Sequence, residues 1–159
     1  MQNPFTLTFG KSPLEPVERP LQTMEIVDTF TAETVNQQMF IITGVQGSGK
    51  TVMMTEIARR LREREDWVVI ELNPATDLLQ GMLAKLNSNK VCAAIIKSAK
   101  IDLSFFGFGV AIEGVPPLTD TETAIITILE KLKKQDKRLL ITIDEVTNND
   151  YMKVFAGSF

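Results

Sequence analysis

At 159 residues the chain has the length of one domain, with enough apolar content to bury a core. Its net charge of -3 supplies no global pull toward nucleic acid. Histidine is absent, which excludes Ser-His-Asp catalysis, imidazole metal sites and histidine general bases, and the lone Cys92 has no internal disulfide partner. No apolar run reaches spanning length, and the N-terminus lacks the basic-then-apolar layout of a signal peptide. The expectation is a soluble, cytoplasmic protein with no membrane association.

In chain order, residues 1–22 carry Pro4, Pro13, Pro16 and Pro20, and proline restricts both its own backbone and the residue before it. They predict an extended arm, with Phe5, Leu7 and Phe9 laid against the domain that follows over 23–159. Residues 24–33 predict a short amphipathic helix through Met24, Ile26, Val27 and Phe30. Next comes MFIITGVQGSGKT at 39–51. Four apolar residues, Met39, Phe40, Ile41 and Ile42, predict a buried strand leading into a phosphate-binding pattern, Gly44-x-x-x-x-Gly49-Lys50-Thr51.

The spacing has a physical reason. Gly44, Gly47 and Gly49 allow the backbone amides of Val45, Gln46, Ser48 and their neighbours to approach an anion closely. The following helix, from Thr51 and Val52 onward, adds the positive end of its dipole. Lys50 is expected to reach the β- and γ-phosphates, and the Thr51 hydroxyl to ligate Mg²⁺.

Residues 51–65 predict a helix with Val52, Met54, Ile57, Ala58 and Leu61 inward, and its arginines and glutamates form a solvated face. WVVIEL at 67–72 is a strand closed by Asn73-Pro74. Helices follow over 75–86, burying Leu78, Leu79, Met82, Leu83 and Leu86, and over 90–100, with Val91, Ala94, Ile95 and Ala99 inward. The alternation in DLSFFGFGVAIEG at 102–114 predicts a strand or small hairpin, bulged at Gly107 and Gly109 and serving as a flap. Thr119 to Glu122 read as a capping box that starts a helix burying Ala124, Ile125, Ile128, Leu129 and Leu132.

RLLITIDEV at 138–146 is a buried, parallel-type strand ending in Asp144-Glu145. Two carboxylates at the tip of an apolar strand call for a cation. In a phosphate-loop fold that cation is Mg²⁺, with Asp144 as its ligand and Glu145 orienting and deprotonating the attacking water. An acid directly after the metal aspartate favours hydrolysis over kinase chemistry.

With GVQGSGKT at 44–51, LLITIDEV at 139–146 and the opening NPFTLTFG, the chain resembles the AAA-type P-loop ATPases, in their initiator-like and signal-transducing branch. The resemblance implies an α/β, three-layer core with a parallel sheet, ATP and Mg²⁺ as cofactors, and hydrolysis that drives a conformational switch. It implies that the arm contributes to an adenine pocket through a box of Gly-Arg and an acid; Glu18-Arg19-Pro20 stands there, retaining Arg19. It also implies a sensor strand between the two motif strands, an arginine finger and a helical lid. Nothing in 148–159 supplies these, so the expectation is the N-terminal part of a longer protein. Alone, it would hydrolyse poorly, self-associate or meet a protein partner through open sheet edges, and reach nucleic acid only through further domains. Two rival readings are a small-molecule kinase with Asp77 as base, and a non-catalytic, nucleotide-dependent scaffold.

Overall fold

The structure is a computed structural model that describes residues 19–34 and 37–158. The expected placement of Phe5, Leu7 and Phe9 falls outside the described residues. The chain divides into two compact units, 1–61 and 62–159.

In the first unit, helix α1 spans Pro20–Thr31 and starts earlier than its apolar pattern indicates. Proline at the first helical position explains the start: its missing N–H is not needed there and its φ already fits. Thr23 and Ile26 form the buried face, with Val27 and Phe30 half-buried, whereas Met24 is exposed. Phe30 meets Phe40 edge-on at 5.1 Å.

Residues 37–45 form no strand, which corrects the expected strand over Met39 to Ile42. Met39 and Ile41 are exposed, at 70% and 77%. An isolated extended segment gains no ladder hydrogen bonds, and among the described residues no strand pairs with this one. Helix α2, Lys50–Arg62, follows the loop and runs on to the unit boundary, burying Met53, Ile57, Ala58 and Leu61. Met53 therefore takes the inward place expected of Met54, and Val52 is only half-buried.

The second unit is built on two strands, β1 (Trp67–Leu72) and β2 (Arg138–Ile143), paired in parallel with Trp67 opposite Arg138 and Leu72 opposite Ile143. Parallel neighbours require a long crossover. Here it contains α3 (Leu78–Ser88), α4 (Lys90–Ser98) and α5 (Thr121–Lys134). Leu78, Leu79, Met82, Leu83 and Leu86 are all buried, as their spacing predicts. They join Val68, Ile70 and Leu72 of β1 and Ala124, Ile125, Ile128 and Leu132 of α5 in one core. In α4 the inward residues are Cys92, Ile95 and Ile96, while Val91 and Ala94 are exposed. The helix is capped by Asn89; Ile95 takes its expected inward place and Ala99 packs partly buried against the core.

Two local expectations fail in the same way, because a side chain satisfies the backbone where a ladder or a different cap was expected. Residues 102–114 form no hairpin but a 3-10 turn at Ser104–Phe106 and irregular chain beyond it. Asp102, 2% exposed, organises this loop: its carboxylate accepts from Ser104 N at 2.9 Å and from Ile112 N at 2.8 Å. The α5 cap is Asp120, accepting from Thr123 N at 2.8 Å, not Thr119. The final helix, α6, is Asp150–Ser158.

Candidate functional site

The phosphate-binding pattern lies in the first unit. Ser48 N donates to the Val45 carbonyl at 3.2 Å, closing a turn, and Met53 N donates to the Gly49 carbonyl at 3.0 Å, so α2 begins at the end of the pattern. Gly47 and Gly49 have φ of 78° and 82°, a left-handed conformation that side chains disfavour. At Gly44 a Cβ would come within 2.6 Å of Ser48 Oγ, so the hydroxyl would have to turn aside. The Lys50 ammonium sits inside the loop, donating to the carbonyls of Gly44 at 2.8 Å and Val45 at 2.9 Å. Thr51 lies in the first turn of α2. The result is a turn curled around one ammonium group at a helix N-terminus, the arrangement that binds phosphate through amides and dipole.

Arg19, the residue retained from the box that the resemblance implies, meets this loop. Its guanidinium donates to the Ser48 carbonyl at 2.9 Å across 29 residues of chain.

Asp144 and Glu145 lie in the second unit, directly after β2. Asp144 is half-buried and Glu145 exposed. The Glu145 amide donates to Asp144 Oδ1 at 2.9 Å, and Glu145 itself has φ of 53°. Among the described residues two other non-glycine residues share that conformation, Lys100 and Asp136. Both terminate helices, where Ile101 N returns to the Ile96 carbonyl and Lys137 N to the Leu132 carbonyl. Glu145 ends no helix, so its left-handed backbone has no such explanation and belongs to the acidic tip itself.

Asn149 escapes a reading of the sequence. Its Nδ2 donates to the Pro74 carbonyl at 2.8 Å, and its Oδ1 accepts from Met152 N at 2.9 Å at the start of α6. It thereby ties the turn after β1 to the segment after β2, the two carboxyl ends of the parallel strands. Only its place between an acidic tip and a helical pattern could have marked it. Asp77 serves the backbone: as N-cap of α3 it accepts from Leu79 N at 3.0 Å and Gln80 N at 3.1 Å. Those bonds commit one oxygen of its carboxylate to the helix start.

Among the described residues no group of three or more histidine, cysteine or acidic side chains gathers as a metal site. Cys92 is buried, and burial pushes its thiol up to about 11, which keeps it protonated and unreactive. No helix among the described residues is long and apolar enough to cross a membrane.

A family model described as an ATPase domain predominantly from Archaea matches residues 24–154. The chain belongs to this ATPase family. The match runs from α1 through α6 and includes both the loop around Lys50 and the acidic tip at Asp144. No curated protein and no solved structure matches the chain. Membership makes ATP the nucleotide expected of the loop, and it is compatible with the α/β character of the second unit.

Proposed function

We propose that this ATPase domain binds ATP·Mg²⁺ on the loop formed by residues 44–52 and hydrolyses it with Glu145, as the motor of an AAA-type conformational switch. The observation that carries this reading is the loop curled around the Lys50 ammonium at the start of α2. Gly44, Val45, Gln46, Gly47, Ser48, Gly49, Thr51 and Val52 line the phosphates with main-chain amides, while Lys50 neutralises the charge that develops on them.

The donors fit a hard cation. The Thr51 hydroxyl and the Asp144 carboxylate are each oxygen donors of the kind that Mg²⁺ prefers. A metal held by these donors would supply charge neutralisation at the phosphates. Glu145 accepts a proton from the attacking water, and the amide it donates to Asp144 holds the two carboxylates in divided roles. The parallel pairing of β1 and β2, with the acids directly after the carboxyl end of β2, supports the three-layer core reading.

Titration of the purified protein with ATP by calorimetry, with and without Mg²⁺, tests the reading, together with phosphate release. Lys50→Ala should weaken ATP binding by at least about tenfold, the loss of one charge-assisted contact. Glu145→Gln should keep ATP bound and stop phosphate release. Wild-type protein that takes up no ATP at saturating magnesium overturns the proposal. A Glu145→Gln variant indistinguishable from wild type in both assays points to the scaffold instead.

A further inference from the structure

The loop is held from outside as well as from within. Arg19 is the N-cap residue of α1, and its carbonyl accepts from Thr23 N at 3.0 Å. Pro20 fixes the first helical turn, and Thr23 and Ile26 anchor the helix by burial. The base of the Arg19 side chain is therefore set by a helix start, while its guanidinium reaches the Ser48 carbonyl at 2.9 Å.

That carbonyl shares a peptide unit with the Gly49 amide. In a planar trans peptide the C=O and N–H point in opposite directions, so fixing one aims the other. Gly49, with φ of 82°, offers little resistance to peptide rotation on its own. A cation on the oxygen also polarises the unit and makes its N–H a stronger donor.

We propose that Arg19 is a positioning residue for phosphate binding: by holding the Ser48 carbonyl it turns the Gly49 amide toward the bound phosphate and strengthens it as a donor. This rests on the nucleotide-binding reading of the loop. It departs from an adenine contact for Arg19, because the partner found is main chain of the phosphate loop.

The two roles separate by ligand. Arg19→Ala, Arg19→Lys and wild type are titrated with Mg·ATP and with Mg·tripolyphosphate, which carries the phosphates and no base. The Gly49 amide is followed by NMR, with thermal melts as a check on folding. Arg19→Ala is expected to lose on the order of tenfold in affinity for both ligands alike. Its Gly49 amide proton should move upfield, and Arg19→Lys, which keeps one charged donor, should recover part of both effects. A loss confined to ATP, with tripolyphosphate unchanged, overturns the proposal in favour of an adenine contact. So does an Arg19→Ala variant that binds both ligands as wild type does, and that outcome leaves the nucleotide reading standing. Wild-type protein binding neither ligand defeats both, even if the Gly49 resonance still responds to Arg19→Ala.

Discussion

Glu145 combines exposure, a left-handed backbone and an amide committed to its neighbour's carboxylate. A β-carbon in that conformation costs about 1–2 kcal/mol, which glycine avoids at some entropic expense. Glu145→Gly is therefore expected to stabilise the fold by about 0.5–1 kcal/mol, read as a higher urea midpoint at unchanged slope, while phosphate release is lost. Retained activity in that variant would remove Glu145 from the chemistry. The lysine, the threonine and the two acids stand out in the sequence because their motifs are local in the chain. Arg19 and Asn149 act at separations of 29 and 75 residues, and nothing in their own neighbourhoods announces those partners.

Among the helices, the junction between α3 and α4 turns on one side chain. Asn89 closes α3, its N–H returning to Lys85 O at 3.0 Å, and opens α4, its Oδ1 accepting from Val91 N at 3.0 Å and Cys92 N at 3.2 Å. Asn89→Ala should cost about 0.5–2 kcal/mol by chemical denaturation, the range for losing an N-cap, and Asn89→Asp should retain most of the stability. A loss below a few tenths would show that helix packing alone fixes the junction. Element identity was readable where hydrophobic period and length agreed, as in α3, β1 and β2. It was misread where glycine and aromatic alternation mimicked a strand at 102–114, because Asp102 satisfies that backbone from a side chain.

At the scale of the whole molecule, four carboxyls among the described residues titrate below their ordinary range on folding. Hydrogen bonds from Arg59 and Arg60 hold Glu56 down to about 2. Asp66 is lowered by Arg64, Asp102 by the Ser104 side chain and then the Ile112 and Ser104 amides, and Asp120 by Thr123. A depressed carboxyl contributes stability that is fully present above its unfolded pKa, about 4, and is lost as pH falls through the folded value. Thermal melts should therefore be flat from neutrality down to about pH 5 and fall steeply from about pH 4 toward 2. Asp102→Asn should melt lower at pH 7 and show a shallower acid slope; an unchanged slope would mean that Asp102 titrates alike in both states.

By itself, the sequence determined the glycine turn before α2, the acidic tip after β2, the core face of α3 and the strands β1 and β2, because each is written in the spacing of neighbouring residues. Only the tertiary structure decided that residues 39–42 form no strand, that Asp102 shapes the following loop, and that Arg19 grips the loop at Ser48. Those outcomes depend on which distant group reaches a backbone atom first, and a linear pattern carries no record of that competition.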